Sequence, residues 1–337
     1  MSTRRRAAIS LSVLVAVGLF AAFRFFPAPT VEVTDFATVT TPTSPVFAAA
    51  VKPASRAEIK EFRIPITHRT IEVAPGVRYQ AWTFGNTVPG PVLRVRQGDR
   101  VRVVMTNESD MPHSIDFHAA RIPMDKAFGM ILPHQEHSFE FTARDPGVFM
   151  VHCGTAPVLM HIMQGMYLPI IVDPAGGWGA RVDREFVLVQ SEFYVAPTTD
   201  STAPHLPDWE AANNDQPSYV VWNGQANQYA RHPIQLEVGD RVRFFVVSAG
   251  PSHRSDFHIV GAIFDRVIPD GVPSHALQGV QTYSVPAGGG AVFETRFDKD
   301  ESGEGQYAFV THSFVDASKG AVGILRVGNP SGPMASH

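Results

Sequence analysis

The chain has 337 residues, of which 44% are hydrophobic, and a formal charge of −4 from 28 basic and 32 acidic side chains. This length exceeds one typical domain and favours two domains of about 100 to 150 residues with ordinary cores. No basic stripe interleaved with aromatic residues occurs, so nucleic acid is excluded as an expected partner.

The first residues are typical of an export signal. Three arginines precede a largely apolar segment, residues 7–23. This segment is short for a membrane-spanning helix, which needs about twenty residues, and no convincing small-residue cleavage site follows it. We therefore expect residues 1–24 to be a signal peptide or a membrane anchor. The protein is expected in the periplasm or on the outer face of the cytoplasmic membrane.

Short strands separated by turns dominate the rest of the chain. Residues 25–57 are rich in Pro, Thr, Ala and Val and are expected to form an extended leader. After them, β-rich runs such as residues 92–95 and 101–105 alternate with turn residues, and no long segment has a helical period. Many short strands at close spacing predict an all-β fold of sandwiches or barrels.

A Gly-rich segment at residues 174–179 interrupts the strand pattern, which resumes at Arg184. We place a domain boundary there. The prediction is a first β domain at residues 58–173, a second at residues 184–328 and a tail at residues 329–337.

The two halves contain an internal repeat. The sequence Gly-Asp-Arg-Val-Arg at residues 98–102 recurs at 239–243, and an Asp-Phe-His motif that ends at His118 recurs with its end at His258. The spacing from the first Gly to this His is 20 residues in one copy and 19 in the other. The chain therefore reads as two similar β domains in tandem.

Cys153 is the only cysteine, and possible metal ligands surround it. His161 follows eight residues later and Met166 five residues beyond that. In an oxidising compartment this cysteine has no disulfide partner within the chain, which favours a metal or functional role. Two His, one Cys and a distant Met are typical of a blue-type electron-transfer copper. We expect His113 to supply the second histidine.

A second metal site is predicted from the residue next to Cys153. Side chains alternate faces along a strand, so His152 points away from Cys153 and can serve a different metal together with His118. His312, at the repeat position of His152, can add a third imidazole only if a second domain packs against the first. Three imidazoles with an open fourth position make a catalytic site.

The second domain lacks the cysteine and methionine that serve as possible metal ligands in the first. Ser313 stands where the first domain has Cys153, and Ala321 stands where it has Met166. A blue-type copper is therefore not expected in the second domain.

Together these motifs resemble those of the copper-containing nitrite reductases over residues from about 60 to 328. The resemblance is carried by residues 88–91, 116–118, 152–166 and 219–224 and by the segment around His312. It implies two tandem cupredoxin-like Greek-key β-sandwich domains, two coppers per chain, nitrite as the substrate and a homotrimer. A small redox protein, a cupredoxin or a cytochrome c, is expected to donate the electron.

The resemblance also implies two ligand sets. A type 1 copper would be held by four residues, His113, Cys153, His161 and Met166. A type 2 copper would be held by three residues, His118, His152 and His312 of the partner subunit.

Reduction of nitrite to nitric oxide and water takes one electron and two protons. The resemblance implies that Asp116 and His258 handle these protons and that Val260 lines the substrate pocket, where many members have a bulkier Ile. Alternatively, Asp116 only orients a ligand histidine, and His258 is a remnant of duplication. We expect five other histidines to be ordinary surface residues: His68, His205, His232, His275 and His337.

Two other functions are weighed against nitrite reduction. A two-domain multicopper oxidase needs His-x-His pairs and a His-Cys-His sequence, but residue 154 is Gly. An exported cupredoxin-type electron carrier needs neither Asp116 nor His312. Copper content distinguishes the three, because a carrier holds one ion per chain, a reductase two and an oxidase four.

Overall fold

The computed structural model describes residues 29–37, 53–54, 56–298 and 303–330. The predicted export segment at residues 1–24 lies outside these ranges, as do much of the predicted leader and most of the predicted tail. Within the described ranges, no helix is long and apolar enough to cross a membrane.

The first half of the described chain forms nine strands and two short helices. Their bounds are β1 Val31–Asp35, β2 Ile59–Ala74, β3 Val77–Phe84, β4 Leu93–Arg96, β5 Arg100–Asn107, β6 Asp116–Phe117, α1 Met124–Ala127, β7 Glu136–Thr142, β8 Gly147–His152, α2 Val158–Met163 and β9 Tyr167–Asp173. One sheet has the order β1-β2-β5-β7, with β3 paired to β2, and the other has the order β4-β9-β8-β6. These two sheets make the first sandwich.

β1 lies within the stretch that we predicted to be an extended leader. It pairs in parallel with β2, with Val31 opposite Ile59 and Asp35 opposite Arg63. The backbone N–H of Phe36 continues the pairing by donating to the carbonyl of Arg63 at 3.0 Å. Part of the predicted leader is therefore an edge strand of the first sandwich.

Side-chain alternation explains why these segments form sheets. In β5, Val103 and Met105 are buried, whereas Arg100 and Thr106 on the other face are exposed. This period of two places one face of the strand against the core, whereas the ends of the other face are in solvent and Val104 between them is covered. The same core cluster contains Cys153, so the cysteine lies inside the sandwich.

The second half of the described chain repeats this architecture with eleven strands, three short helices and one short 3-10 helix at Pro273–His275. Their bounds are β10 Arg184–Phe193, α3 Trp209–Asn213, β11 Tyr219–Trp222, α4 Gln228–Arg231, β12 Ile234–Leu236, β13 Arg241–Gly250, β14 Ser255–Ile259, β15 Phe264–Pro269, β16 Leu277–Val280, β17 Thr282–Val285, β18 Gly290–Arg296, β19 Gly305–Thr311, α5 Phe314–Ser318 and β20 Val322–Val327. Its sheets have the orders β11-β10-β13-β18-β15-β16 and β12-β20-β19-β14-β17. The predicted all-β class is confirmed.

A shared apolar cluster joins the two sandwiches. It includes Tyr79 from the first and Phe193 and Phe245 from the second, and the rings of Tyr79 and Phe193 meet edge to face with centroids 5.3 Å apart. The two backbones also approach closely, because a side chain at Gly290 would collide with the carbonyl oxygen of Val148. The sandwiches therefore pack as one body around a common core.

Half-buried charges cross the same boundary. Glu185 pairs with Arg94 of the first sandwich and Arg243 of the second, each at 2.7 Å. Arg243 also pairs with Glu294 at 2.6 Å, and these two side chains are only 5% and 1% exposed. Burial alone would raise the pKa of Glu185, but hydrogen bonds and charges from Arg94 and Arg243 lower it below its usual range. The network holds the two sandwiches together through ionised, paired groups.

Candidate metal centres

The first candidate centre lies where β8 ends and the chain continues into α2. Cys153 directly follows β8, and His161 lies within α2. The Sγ atom of Cys153 is 3.2 Å from Nδ1 of His161, which is 3.2 Å from Nδ1 of His113. All three side chains are buried, and their donor atoms lie within 4.8 Å of one another. The structure thus brings together three of the four residues predicted to hold a type 1 copper.

Met166, the fourth of these residues, is also fully buried and belongs to the same core cluster as Cys153. Its backbone carbonyl accepts the N–H of Cys153 at 3.1 Å, and its own N–H donates to the carbonyl of His161 at 3.2 Å. The turn after α2 therefore keeps the methionine beside the cysteine and the histidine.

The donor set of this centre fits copper. Burial lowers the pKa of His113 to about 3 and that of His161 to about 4, and neighbouring imidazoles add to both shifts. Both rings are therefore neutral at pH 7 and keep a lone pair for a metal. Ring nitrogens 3.2 Å apart leave room for one ion at the roughly 2.0–2.1 Å that imidazole makes with a metal such as zinc. A thiolate with two imidazoles suits copper.

One histidine that we expected to be an ordinary surface residue contacts this centre, so that prediction is wrong for His68. The side chain is half-buried on β2, and its Nε2 lies 3.2 Å from Nε2 of His113. Its ring stacks on Trp82, which also meets His113 and His161 edge-on. Spacing along the chain gave no signal for this contact, because it depends on the position of β2 beside the first centre. The pairing of β2 with β3 sets His68 opposite Trp82.

The other histidines of that group differ in exposure. His205 is half-buried, and its Nδ1 donates to the carbonyl of Ala196 at 2.8 Å. His232 and His275 are exposed, as predicted. His337 lies outside the described residues.

The second candidate centre lies on the opposite side of β8. The Nε2 atoms of His152 and His118 are 3.1 Å apart, and Oδ2 of Asp116 is 3.8 Å from Nε2 of His152. The Nδ1 of His152 is 2.9 Å from the carbonyl of Cys153, and the Nδ1 of His118 is 3.1 Å from the carbonyl of Gly288. Because a carbonyl only accepts, both rings carry their proton on Nδ1 and present the Nε2 lone pair to one point.

Within one chain, His312 does not join this group. It is exposed just after β19, and its ring lies 5.4 Å from that of His258 on β14. The Nδ1 of His258 donates to the carbonyl of Gln281 at 2.7 Å, so the lone pair of this ring is on Nε2. His258, Val260, His312 and Phe314 line a cavity of about 510 Å³. The predicted site residues His258, Val260 and His312 therefore share one surface of the second sandwich, away from the two histidines of the first.

The counterpart of the first centre in the second sandwich has a different chemistry. His253, the repeat equivalent of His113, is held between two carboxylates, with Nδ1 2.9 Å from Asp316 and Nε2 3.1 Å from Asp215. The hydrogen bond to Asp316 raises the pKa of His253 to about 9. The ring is charged at pH 7, so in this chain the position forms a half-buried ion pair with two carboxylates.

Known copper proteins resemble this chain in sequence and in structure. The family model described as multicopper oxidase matches residues 65–176. A copper-containing nitrite reductase of Neisseria gonorrhoeae is 38% identical over 276 residues, which cover 80% of this chain and 69% of that protein.

Two solved structures extend the comparison over both sandwiches. The copper nitrite reductase from Nitrosomonas europaea matches with a TM-score of 0.73 and 35% identity, covering 83% of this chain and 97% of that one. A Cu-containing nitrite reductase from Thermus scotoductus SA-01 matches with a TM-score of 0.74 and 30% identity, covering 82% of this chain and 64% of that one. Both sandwiches are thus cupredoxin-like, and the predicted enzyme class is confirmed: the chain belongs to the copper-containing nitrite reductases.

Proposed function

We propose that the chain is a dissimilatory nitrite reductase that forms nitric oxide, as a step of denitrification, and that it holds two coppers. The observation that carries this proposal is the position of His152 and Cys153. These consecutive residues belong to two different donor sets on opposite sides of β8. An electron that arrives at the first centre is thus one peptide link from the second.

The proposed ligand sets follow the two groups of donor atoms. The first copper, of type 1, is held by His113, Cys153, His161 and Met166. The second copper, of type 2, is held by His118, His152 and His312 of the partner subunit. When bound, copper supplies a one-electron couple at both centres and an open coordination position for nitrite at the second.

Asp116 and His258 are the proposed proton-handling residues. Asp116 lies beside His152, with its carboxylate 3.8 Å from Nε2 of that ring and 40% of its side chain exposed, so it is open to solvent at the second centre. His258 carries its lone pair on Nε2 and lies on the surface that carries His312. Nitrite, one electron and two protons give nitric oxide and water, and these two groups hold the two protons.

The exposed donor atoms support assembly into a homotrimer. His118 and His312 are both exposed in the single chain, and the apolar side chains of Phe314 and Val315 beside His312 are 64% and 67% exposed. Adjoining exposed apolar side chains are typical of an interaction surface. A closed ring in which the first sandwich of one subunit meets the second sandwich of the next completes every site. The family resemblance favours three subunits in this ring.

We propose a small redox protein, a cupredoxin or a cytochrome c, as the electron donor. Met130 and Leu132 are exposed on either side of Ile131, whose backbone pairs with that of His113. An apolar surface beside a buried copper ligand suits brief docking of such a donor. The proposed location is the periplasm or the outer face of the cytoplasmic membrane, with residues 1–24 as signal peptide or anchor.

Nitric oxide production is the direct test of this function. Copper-loaded protein given nitrite and an artificial reductant should release nitric oxide and contain two coppers per chain. Cys153→Ala should keep one copper, lose the visible thiolate-to-copper absorption and lose most turnover. Protein with both coppers that forms no nitric oxide contradicts the proposed reaction, one copper per chain favours the electron carrier, and four favour the oxidase.

Asp116→Asn should keep both coppers but lower nitrite reduction by on the order of 10²-fold, because an amide cannot transfer the proton that a carboxyl group does. Steady-state nitric oxide formation and copper content together check this. Asp256→Asn is the matched control, since Asp256 occupies the same motif position in the second sandwich and pairs with Arg254. If the two variants form nitric oxide at the same rate, Asp116 has only a structural role.

A further inference from the structure

His68 contacts the first centre but is not one of its proposed ligands. The Nδ1 of His113 faces His161 and the cysteine, so it is the nitrogen available to a metal. A neutral imidazole that binds through Nδ1 carries its proton on Nε2. The partner of that N–H is Nε2 of His68, at 3.2 Å. His68 accepts this hydrogen bond and therefore carries its own proton on Nδ1.

The ring of His68 is held in place by its neighbours. It stacks on Trp82 with an interplanar angle of 15° and centroids 5.1 Å apart, and it meets His113 at 85°. Trp82 is itself only 7% exposed and meets the ring of His161 edge-on, with centroids 4.9 Å apart. His68 thus cannot turn away from His113 without leaving this stack.

The second sandwich places a side chain at the same point of its fold. β2 pairs in parallel with β5 in the first sandwich, and β10 pairs in parallel with β13 in the second. When the two strand pairs are aligned by the internal repeat, His68 corresponds to Glu192. The Glu192 carboxylate is 1% exposed and accepts the backbone N–H of His253 at 2.7 Å. His253 is the repeat counterpart of His113. In each sandwich, the side chain at this strand position therefore makes a hydrogen bond to the corresponding histidine of the repeat, His113 in the first and His253 in the second.

We propose that His68 is a positioning residue that fixes the tautomer and orientation of His113 and tunes the redox potential of the type 1 copper. This inference rests on the proposed function, because it presumes copper on His113 and Cys153. A ligand imidazole whose N–H donates to an acceptor is a more basic ligand. A more basic ligand stabilises Cu(II) more than Cu(I), because Cu(II) has the higher charge. His68 therefore lowers the midpoint potential of this copper.

Two substitutions separate the hydrogen bond from the stacking. His68→Phe keeps a ring on Trp82 and removes the acceptor, whereas His68→Gln removes the ring and puts an amide oxygen near the position of Nε2. In the copper-loaded protein, His68→Phe should weaken Cu(II) binding relative to Cu(I) by roughly 10-fold. That change raises the midpoint potential by about 59 mV. The visible thiolate-to-copper band should shift together with the potential. In His68→Gln, both the midpoint potential and the band position should lie close to those of the parent protein.

Spectroelectrochemical titration of the thiolate band gives the potential without relying on turnover. His205→Phe is the matched control, since it replaces another half-buried histidine that contacts a backbone carbonyl, and it should leave the band and the potential unchanged. If the role of His68 is only packing, the result reverses: Phe is tolerated and Gln shifts the potential. A parent-like potential in His68→Phe with the band intact overturns this inference alone. Absence of the band in the parent protein overturns the type 1 assignment and this inference with it.

Discussion

A mixture of two inactive variants, His118→Ala and His312→Ala, should recover activity when the subunits are assembled together. In a closed ring each second centre takes two imidazoles from one subunit and one from the next. A mixed trimer therefore has one interface that pairs an intact first sandwich with an intact second sandwich. Random equal mixing makes about three quarters of the trimers mixed, so roughly a quarter of all sites should return. Nitric oxide formation before and after co-assembly measures the recovery.

The control for this experiment pairs two defects in the same sandwich. His118→Ala and His152→Ala both damage the first sandwich, so no interface of their mixed trimers is complete and no activity should return. Recovery in this control would mean that His118 and His152 of one subunit do not belong to the same site. No recovery in the main mixture, despite mixed trimers proven by mass spectrometry, would mean that the site does not combine residues of two subunits.

Glu294→Ala should destabilise the chain by about 3 kcal/mol, because it leaves the buried charge of Arg243 without one of its two carboxylate partners. The guanidinium group is 5% exposed and lies 2.6 Å from the Glu294 carboxylate. Arg266, whose Nη1 is 2.9 Å from the same carboxylate, also loses a partner. The urea midpoint should fall by roughly 1 M. Urea is the denaturant of choice, since guanidinium chloride would screen the charges being tested.

Glu140→Ala provides the comparison. Glu140 pairs with Arg100 and Arg102, but its side chain is 38% exposed. Exposed pairs contribute at most about 1 kcal/mol, so this variant should unfold close to the parent midpoint. Equal shifts in both variants, measured at the same protein concentration and copper loading, would show that burial of the Arg243 pair has no special importance.

Features that follow from local sequence were predictable. Strand alternation, as in β5, and the repeated Gly-Asp-Arg-Val-Arg motif gave the all-β class and the tandem repeat. The spacing between Cys153 and His161 also indicated a metal centre, because a strand followed by a short helix brings them to 3.2 Å. The number and types of the coppers and the individual roles of the site residues stay predictions.

Features that depend on the register between distant strands were not predictable. His68 is 45 residues from His113, and only the position of β2 beside the first centre brings their rings together. The paired charges of Arg94 and Glu185, 91 residues apart, arise in the same way. His312 was predicted to act from the partner subunit, so its separation from the histidines of the first sandwich within one chain leaves that prediction untested.

The shared boundary between the sandwiches bears on how such a chain can change during evolution. Two copies of one ancestral unit are recognisable, yet neither has a complete surface of its own. Tyr79 of the first copy and Phe193 of the second lie in one core, and Glu185 binds arginines from both copies. Cutting the chain between Asp173 and Arg184 would expose that core and leave Arg94 without Glu185. The duplicated units have therefore lost their modularity. Exchange of one half between relatives should succeed only when the residues that face the boundary are exchanged as well.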